Sequence, residues 1–153
     1  MQDIARYLAD HPFLRGLAPE QTAAVARCAR LAEYGVNEPL FSAGEPADGC
    51  FLVQEGHVSV EIRGAGDTPI VVQTLGEPGV LGWSWLVPPY RWCFDARALE
   101  PTRCIVLEAR CLTALCEGDH DFGYELMKRF TTVFAQRLHA TRLELLDRYE
   151  GRS

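Results

Sequence analysis

Between Gly76 and Ala98 the chain reads GEPGVLGWSWLVPPYRWCFDARA. Residue types and spacing there suit an anion held beside a flat ring. Glycines at 76, 79 and 82 approach a run able to make one helical turn. The unpaired N–H groups of such a turn, here those following Gly82 and at Ser84, attract a phosphate or a similar anion. Arg91 or Arg97, arriving from a neighbouring strand, would add a cationic fork. The chain's three tryptophans, Trp83, Trp85 and Trp92, all fall in this stretch, with Tyr90 and Phe94. The segment therefore proposes both an anion cradle and an aromatic wall. The same residues also suit a plain turn over a packed aromatic cluster, because glycines are turn residues first.

Other chemistry finds less support. Asp48, Asp67 and Asp95 are scattered, and no nucleophile sits at a suggestive spacing from a base, so no enzymatic activity is expected. The four histidines, His11, His57, His120 and His139, are expected in loops or on helix surfaces. None of the six cysteines forms a CxxC pair, and no histidine lies at zinc-finger spacing from them. They are expected to be reduced, mostly small buried apolar residues, with no metal. Net charge is −6, which disfavours nucleic acid and anionic membranes as partners. No apolar run approaches the roughly 20 residues of a membrane span. The first residues lack the basic-then-apolar layout of a secretory signal, so a cytoplasmic location is expected.

The elements that would position the glycine and tryptophan stretch follow from periodicity. A short helix over 3–15 should stop near His11-Pro12. Pro19 and Glu20 suit the start of a second helix, with Val25, Cys28, Ala29 and Ala32 on one face and Gly35 at its end. From Val36 to about Leu107 the rhythm is two residues, with turns every ten or so, which predicts a sandwich, jelly roll or barrel. Val58, Val60 and Ile62 should face inward, and His57, Ser59 and Glu61 outward. Arg63–Thr68 should be a hairpin loop, and in the returning strand around Asp95, residues Phe94, Ala96 and Ala98 should share a face. After a short turn over Leu112–Cys116, a long helix is predicted from about Asp121 to Tyr149. Its stripe is Met127, Phe130, Phe134, Leu138, Thr141, Leu145 and Tyr149, and Glu125–Arg129 and Glu144–Arg148 are favourable i,i+4 pairs. Such a helix would be roughly 43 Å long, longer than the β core can cover. Its projecting end is therefore expected to pair with a second copy, the rival being a helix folded back on its own barrel.

In this order of elements the chain resembles the cyclic nucleotide-binding domain family, the regulatory fold of the catabolite activator proteins. LADHPFLRGLAPEQTAAVARCA is similar to that family's N-terminal helices and LFSAGEPADGCFLVQEGHVSV to its first hairpins, with Gly44, Asp48 and Gly56 at turn positions. LGEPGVLG is similar to the approach to its phosphate-binding cassette, with Gly79 and Gly82 in register, and AQRLHAT (135–141) to the part that closes over the base. The resemblance implies an α+β domain. An antiparallel β-roll of jelly-roll type (36–110) lies between N-terminal helices (1–35) and C-terminal helices (111–150), within one domain spanning 1–153. With the chain ending at Ser153, no DNA-binding helix-turn-helix is expected.

The family's cassette has a glutamate after the glycine for the ribose 2′-hydroxyl. An arginine, a small hydroxyl residue and an alanine follow for the cyclic phosphate. Here Trp83 follows Gly82, and Trp92, Cys93 and Phe94 fall in the later slots, with Arg91 one residue early. Each lost contact to a charged group is worth about 1.5–3 kcal/mol, so two would weaken cyclic AMP binding roughly a hundred- to ten-thousand-fold. Two arrangements remain open. In one, a cyclic nucleotide is held differently, by Gly82, Trp83, Ser84, Trp85, Arg91, Trp92 and Cys93, with Arg137 and Thr141 facing the base. In the other, the tryptophans fill the pocket and the domain is a ligand-free scaffold or protein-interaction module. The first makes the chain a stand-alone regulatory sensor, signalling through the long helix of a homodimer.

Overall fold

The computed structural model describes residues 4–64, 66 and 68–150, the side chains of Glu144 and Arg148 excepted. The tip of the Arg63–Thr68 loop, at Ala65 and Asp67, and the Glu144–Arg148 pair thus lie outside the described residues. Two helices, α1 (Ile4–Asp10) and α2 (Pro19–Arg27), come first. Strands β1 (Ala29–Tyr34), β2 (Pro39–Phe41), β3 (Gly49–Glu55), β4 (His57–Arg63) and β5 (Pro69–Gly76) follow, and then β6 (Val80–Leu81). A single 3-10 turn, Ser84–Leu86, precedes β7 (Asp95–Ala98) and β8 (Thr102–Glu108). Helices α3 (Ala109–Gly118) and α4 (His120–Glu150) complete the chain.

The strands form two antiparallel four-stranded sheets, β1-β8-β3-β6 and β2-β7-β4-β5. This is the expected α+β roll with flanking helices. The reason β3 carries the apolar run CFLV (50–53) is that its sheet is covered on both sides. Cys50 and Leu52 face the helices, joining Leu8, Leu112, Leu126 and Phe130. Phe51 and Val53 point into the roll, against Phe41, Val58 and Trp92. Strand β8 alternates likewise, Ile105 and Leu107 toward the helices and Cys104 and Val106 toward the roll.

Four expectations are corrected. The second helix stops at Arg27, and Ala29 to Tyr34 form a strand paired along its length with β8. The spacing of Cys28, Ala29 and Ala32 fits a helix, and it is pairing along the edge of β8 that holds ARLAEY extended instead. In β4, Val58, Val60 and Ile62 lie on the inward face, Ile62 where the open hollow leaves it partly exposed, but Ser59 and Glu61, expected to face outward, are also buried. Arg97 explains this: its Nη2 donates to Glu61 Oε2 at 2.5 Å and its Nη1 to Asn37 Oδ1 at 2.6 Å, while Ser59 Oγ donates to Glu61 Oε2 at 2.7 Å. A paired carboxylate tolerates burial. His11 lies in the bend after α1, a loop position, but is buried rather than solvent-facing. Its Nδ1 accepts the Phe13 N–H at 3.1 Å, closing the turn after α1.

The fourth correction concerns the thiols. Cys28 and Cys111 form a disulfide across 83 residues of sequence. The end of α2 and the start of α3 are neighbours because Glu108 N–H donates to Cys28 C=O at 3.0 Å, bringing the two Cα atoms to 5.4 Å. Spacing along the chain carries no sign of that approach.

Candidate functional site

Strand β6 delivers the chain to Gly82, whose φ of +104° suits glycine and turns the backbone into the 3-10 turn. Behind Gly82 there is no free space. A Cβ there would lie 2.9 Å from Cη2 of Trp92. Trp92 is buried and stacks face to face on Phe41, with ring centroids 3.7 Å apart and planes at 11°. Its backbone is held on the turn before β3, Gly44 N–H donating to Trp92 C=O and Trp92 N–H to Glu45 C=O. The indole thus occupies the ground beside Gly82 that the anion reading gave to a ligand.

Arg91 is exposed and spends its guanidinium on Gly44 C=O at 2.8 Å. Cys93 is exposed as well, and neither lines the hollow described next. Arg97 faces Glu61 on the opposite side of its strand. Trp85 points down from the 3-10 turn into the helix-facing core, edge-on to Phe130 with centroids 5.5 Å apart. Arg91, Cys93 and Trp85 therefore do not join the remaining candidates, because the turn alternates its side chains and the loop after Pro88-Pro89 swings outward.

The other candidates do converge. A hollow of about 510 Å³ opens between the roll and α4, lined by Gly82, Trp83, Ser84, Trp92, Arg137 and Thr141. Apolar residues that the sequence reading did not nominate complete it, among them Val60, Ile62, Val72, Phe134 and Leu138. Inward alternation on β4 and β5 was the available signal for the first three. Among the described lining residues there is no carboxylate.

Arg137 stands out in this wall. Its Cζ lies 5.1 Å from the Trp83 ring centre, a cation–π contact, and its Nη2 donates to Val80 C=O. Trp83 in turn meets Phe134 and Phe94 edge-on, at 5.1 and 6.1 Å between centroids. Burial pulls the Arg137 pKa below the ordinary arginine value, opposed weakly by the nearby Cys50 thiol. An arginine so shifted remains a cation at neutral pH. Thr141 Oγ1 donates back to Arg137 C=O at 2.9 Å, within α4.

A two-sheet roll whose glycine turn faces a long helix across a hollow defines a β-roll domain flanked by helices. The comparisons agree. The sequence pattern of the cyclic nucleotide-binding domain matches residues 31–119, and the chain belongs to that family. A Geobacter metallireducens GS-15 protein described as cyclic nucleotide-binding shares the fold with a TM-score of 0.79 and 24% identity, over 91% of this chain and 100% of that one. A cyclic nucleotide-binding domain from Methylobacillus flagellatus KT gives a TM-score of 0.80 at 16% identity, over 95% and 82%. Glutaminase 2 of Bradyrhizobium diazoefficiens is 23% identical over 145 residues, 94% of this chain. The chain spans only 22% of that relative's length. No described helix is long and apolar enough to cross a membrane.

Proposed function

We propose that the chain is a regulatory sensor module in which a small molecule enters the hollow between the roll and α4 and changes the position of that helix. The observation that carries the reading is the shared wall. Phe134, Arg137, Leu138 and Thr141 come from α4 and the remainder from the roll, so an occupant touches both. The first half of α4 is fastened elsewhere. Phe122, Leu126 and Phe130 are buried, and Arg129 Nη1 donates to the Phe13 and Arg15 carbonyls at 2.9 and 2.8 Å. A ligand therefore acts on the second half, and it shifts the helix only as far as it prefers one position over another.

A cyclic nucleotide held through ribose carboxylate and phosphate arginine is not what this geometry favours. Trp83 and Trp92 stand in the places those groups would need, and Arg91 is turned away. A nucleotide would have to rely on Arg137 and on stacking. The scaffold reading draws support from Trp92, which plugs the ground beside Gly82, but the hollow above it remains open. The exposed apolar residues of the far end of α4, Leu143, Leu145, Leu146 and Tyr149, support a homodimer through that helix, with a protein partner as its other use.

Tryptophan emission tests the sensor reading, since Trp83 and Trp92 line the hollow. A titration with cyclic AMP, cyclic GMP, cyclic dinucleotides and flat aromatic acids should give a saturable change for at least one of them. That change should vanish when Thr141→Trp fills the space. No saturable change with any of them up to millimolar concentration favours the scaffold.

A further inference from the structure

The Arg137 guanidinium is a half-buried cation beside an apolar hollow, and among the described residues no carboxylate pairs with it. Its partners are a carbonyl and the face of Trp83. A buried charge normally has a counter-charge, because leaving water without one is costly. On the far side of Arg137 lies a second hollow of about 480 Å³, more polar, lined by His11, Arg129, Thr132 and Gln136, and sharing Arg137 and Gln73 with the first. The guanidinium thus stands at the boundary between an apolar chamber and a wetter one.

We propose, resting on the sensor reading above, that the ligand of this hollow is an aromatic carboxylic acid whose ring system lies in the apolar chamber and whose carboxylate is held by Arg137. The rings would lie among Trp83, Trp92, Phe94 and Phe134, where flat π-faces and edges are already presented. The carboxylate meets the one cationic fork among the described lining residues; Arg137 Nη2 already donates to Val80 C=O, and the remaining N–H groups of the planar guanidinium are left for the carboxylate. Its outer lone pairs face the wetter side and keep water. A cyclic nucleotide is also a monoanion, but its ribose hydroxyl and base edge would find Gln73, Ser84 and Thr141 as the uncharged polar side chains among the described lining residues. Thr141, the nearest hydroxyl on α4, already donates to Arg137 C=O. Those groups would lose more water contacts than these side chains replace.

The test uses the intact chain and a matched pair of probes, 2-naphthoate and its neutral analogue 2-naphthamide, followed by tryptophan emission and calorimetry. The acid should bind at least tenfold more tightly than the amide. Arg137→Gln should abolish that preference, bringing acid and amide to equal affinity, and Arg137→Lys should retain part of it. Circular dichroism checks that both variants fold, and the acid-to-amide ratio in the unaltered chain needs no variant. Equal binding of acid and amide, or a preference that survives Arg137→Gln, overturns the proposal. Tighter binding of cyclic AMP than of the acid also overturns it, while sparing the sensor reading. If no probe of any class binds, both fail together.

Discussion

Trp92 and Gly82 form one unit. The indole lies flat on Phe41 and fills the space that any side chain at 82 would need. Gly82→Ala therefore meets two obstacles, a φ of +104° and a Cβ 2.9 Å from the Trp92 ring. It should lower unfolding free energy by about 1–3 kcal/mol, measurable by urea titration. His11 gives a different expectation. Burial holds its pKa below the usual 6.5, against smaller upward pulls from Glu77 and the Pro78 carbonyl. The unfolded chain thus binds this proton more readily than the folded one. The stability contribution is complete above the unfolded value of about 6.5 and is lost as pH falls through it toward the lower folded value. The urea midpoint should drop between pH 7.5 and 5.5, and His11→Asn, which can still accept the Phe13 N–H, should flatten that drop. At this level the sequence was a mixed guide. Gly82, Trp83, Ser84, Trp92, Arg137 and Thr141 could be nominated from types and resemblance. Arg91 and Trp85 could not be placed correctly, because one loop and one 3-10 turn decide which way each side chain points.

Strands β3 and β8 show why the roll itself was legible. Their unbroken apolar runs between turn residues follow from a sheet covered by helices on one face and by its partner sheet on the other. Strand β1 was not legible, since its six residues carry no two-residue alternation and only the edge of β8 selects extension. The Cys28–Cys111 disulfide joins α2 to α3 in the same way, through contacts far apart in sequence. Reducing it, or making Cys28→Ser with Cys111→Ser, should cost about 2–4 kcal/mol, read as a lower thermal midpoint. The other thiols separate by burial. Desolvation pushes Cys50 and Cys104 up to about 12, whereas Cys93 is exposed. In the native state a maleimide should therefore modify Cys93 and leave Cys50 and Cys104 untouched until denaturant is added. Mass spectrometry of the labelled peptides reads this directly.

The molecule as a whole divides along α4. One half is buried against α1, α3 and the first sheet. The other passes over the hollow and runs on with its apolar side chains in water. At 31 residues the helix is roughly 46 Å long, and its length was plain from the stripe at steps of three and four. What that stripe covers was not, because Phe130 in the core, Leu138 at the hollow and Leu145 in solvent carry the same pattern. If the free end is a dimer seam, Leu145→Glu should convert a dimeric mass in light scattering to a monomeric one without lowering the thermal midpoint of the roll. Coupling between hollow and helix is measured most directly by hydrogen exchange along α4 with and without saturating 2-naphthoate. The account expects slower exchange over residues 133–145 and little change over 120–130. Unchanged exchange over 133–145, whether tryptophan emission reports the hollow filled or no occupancy is reached, would contradict it.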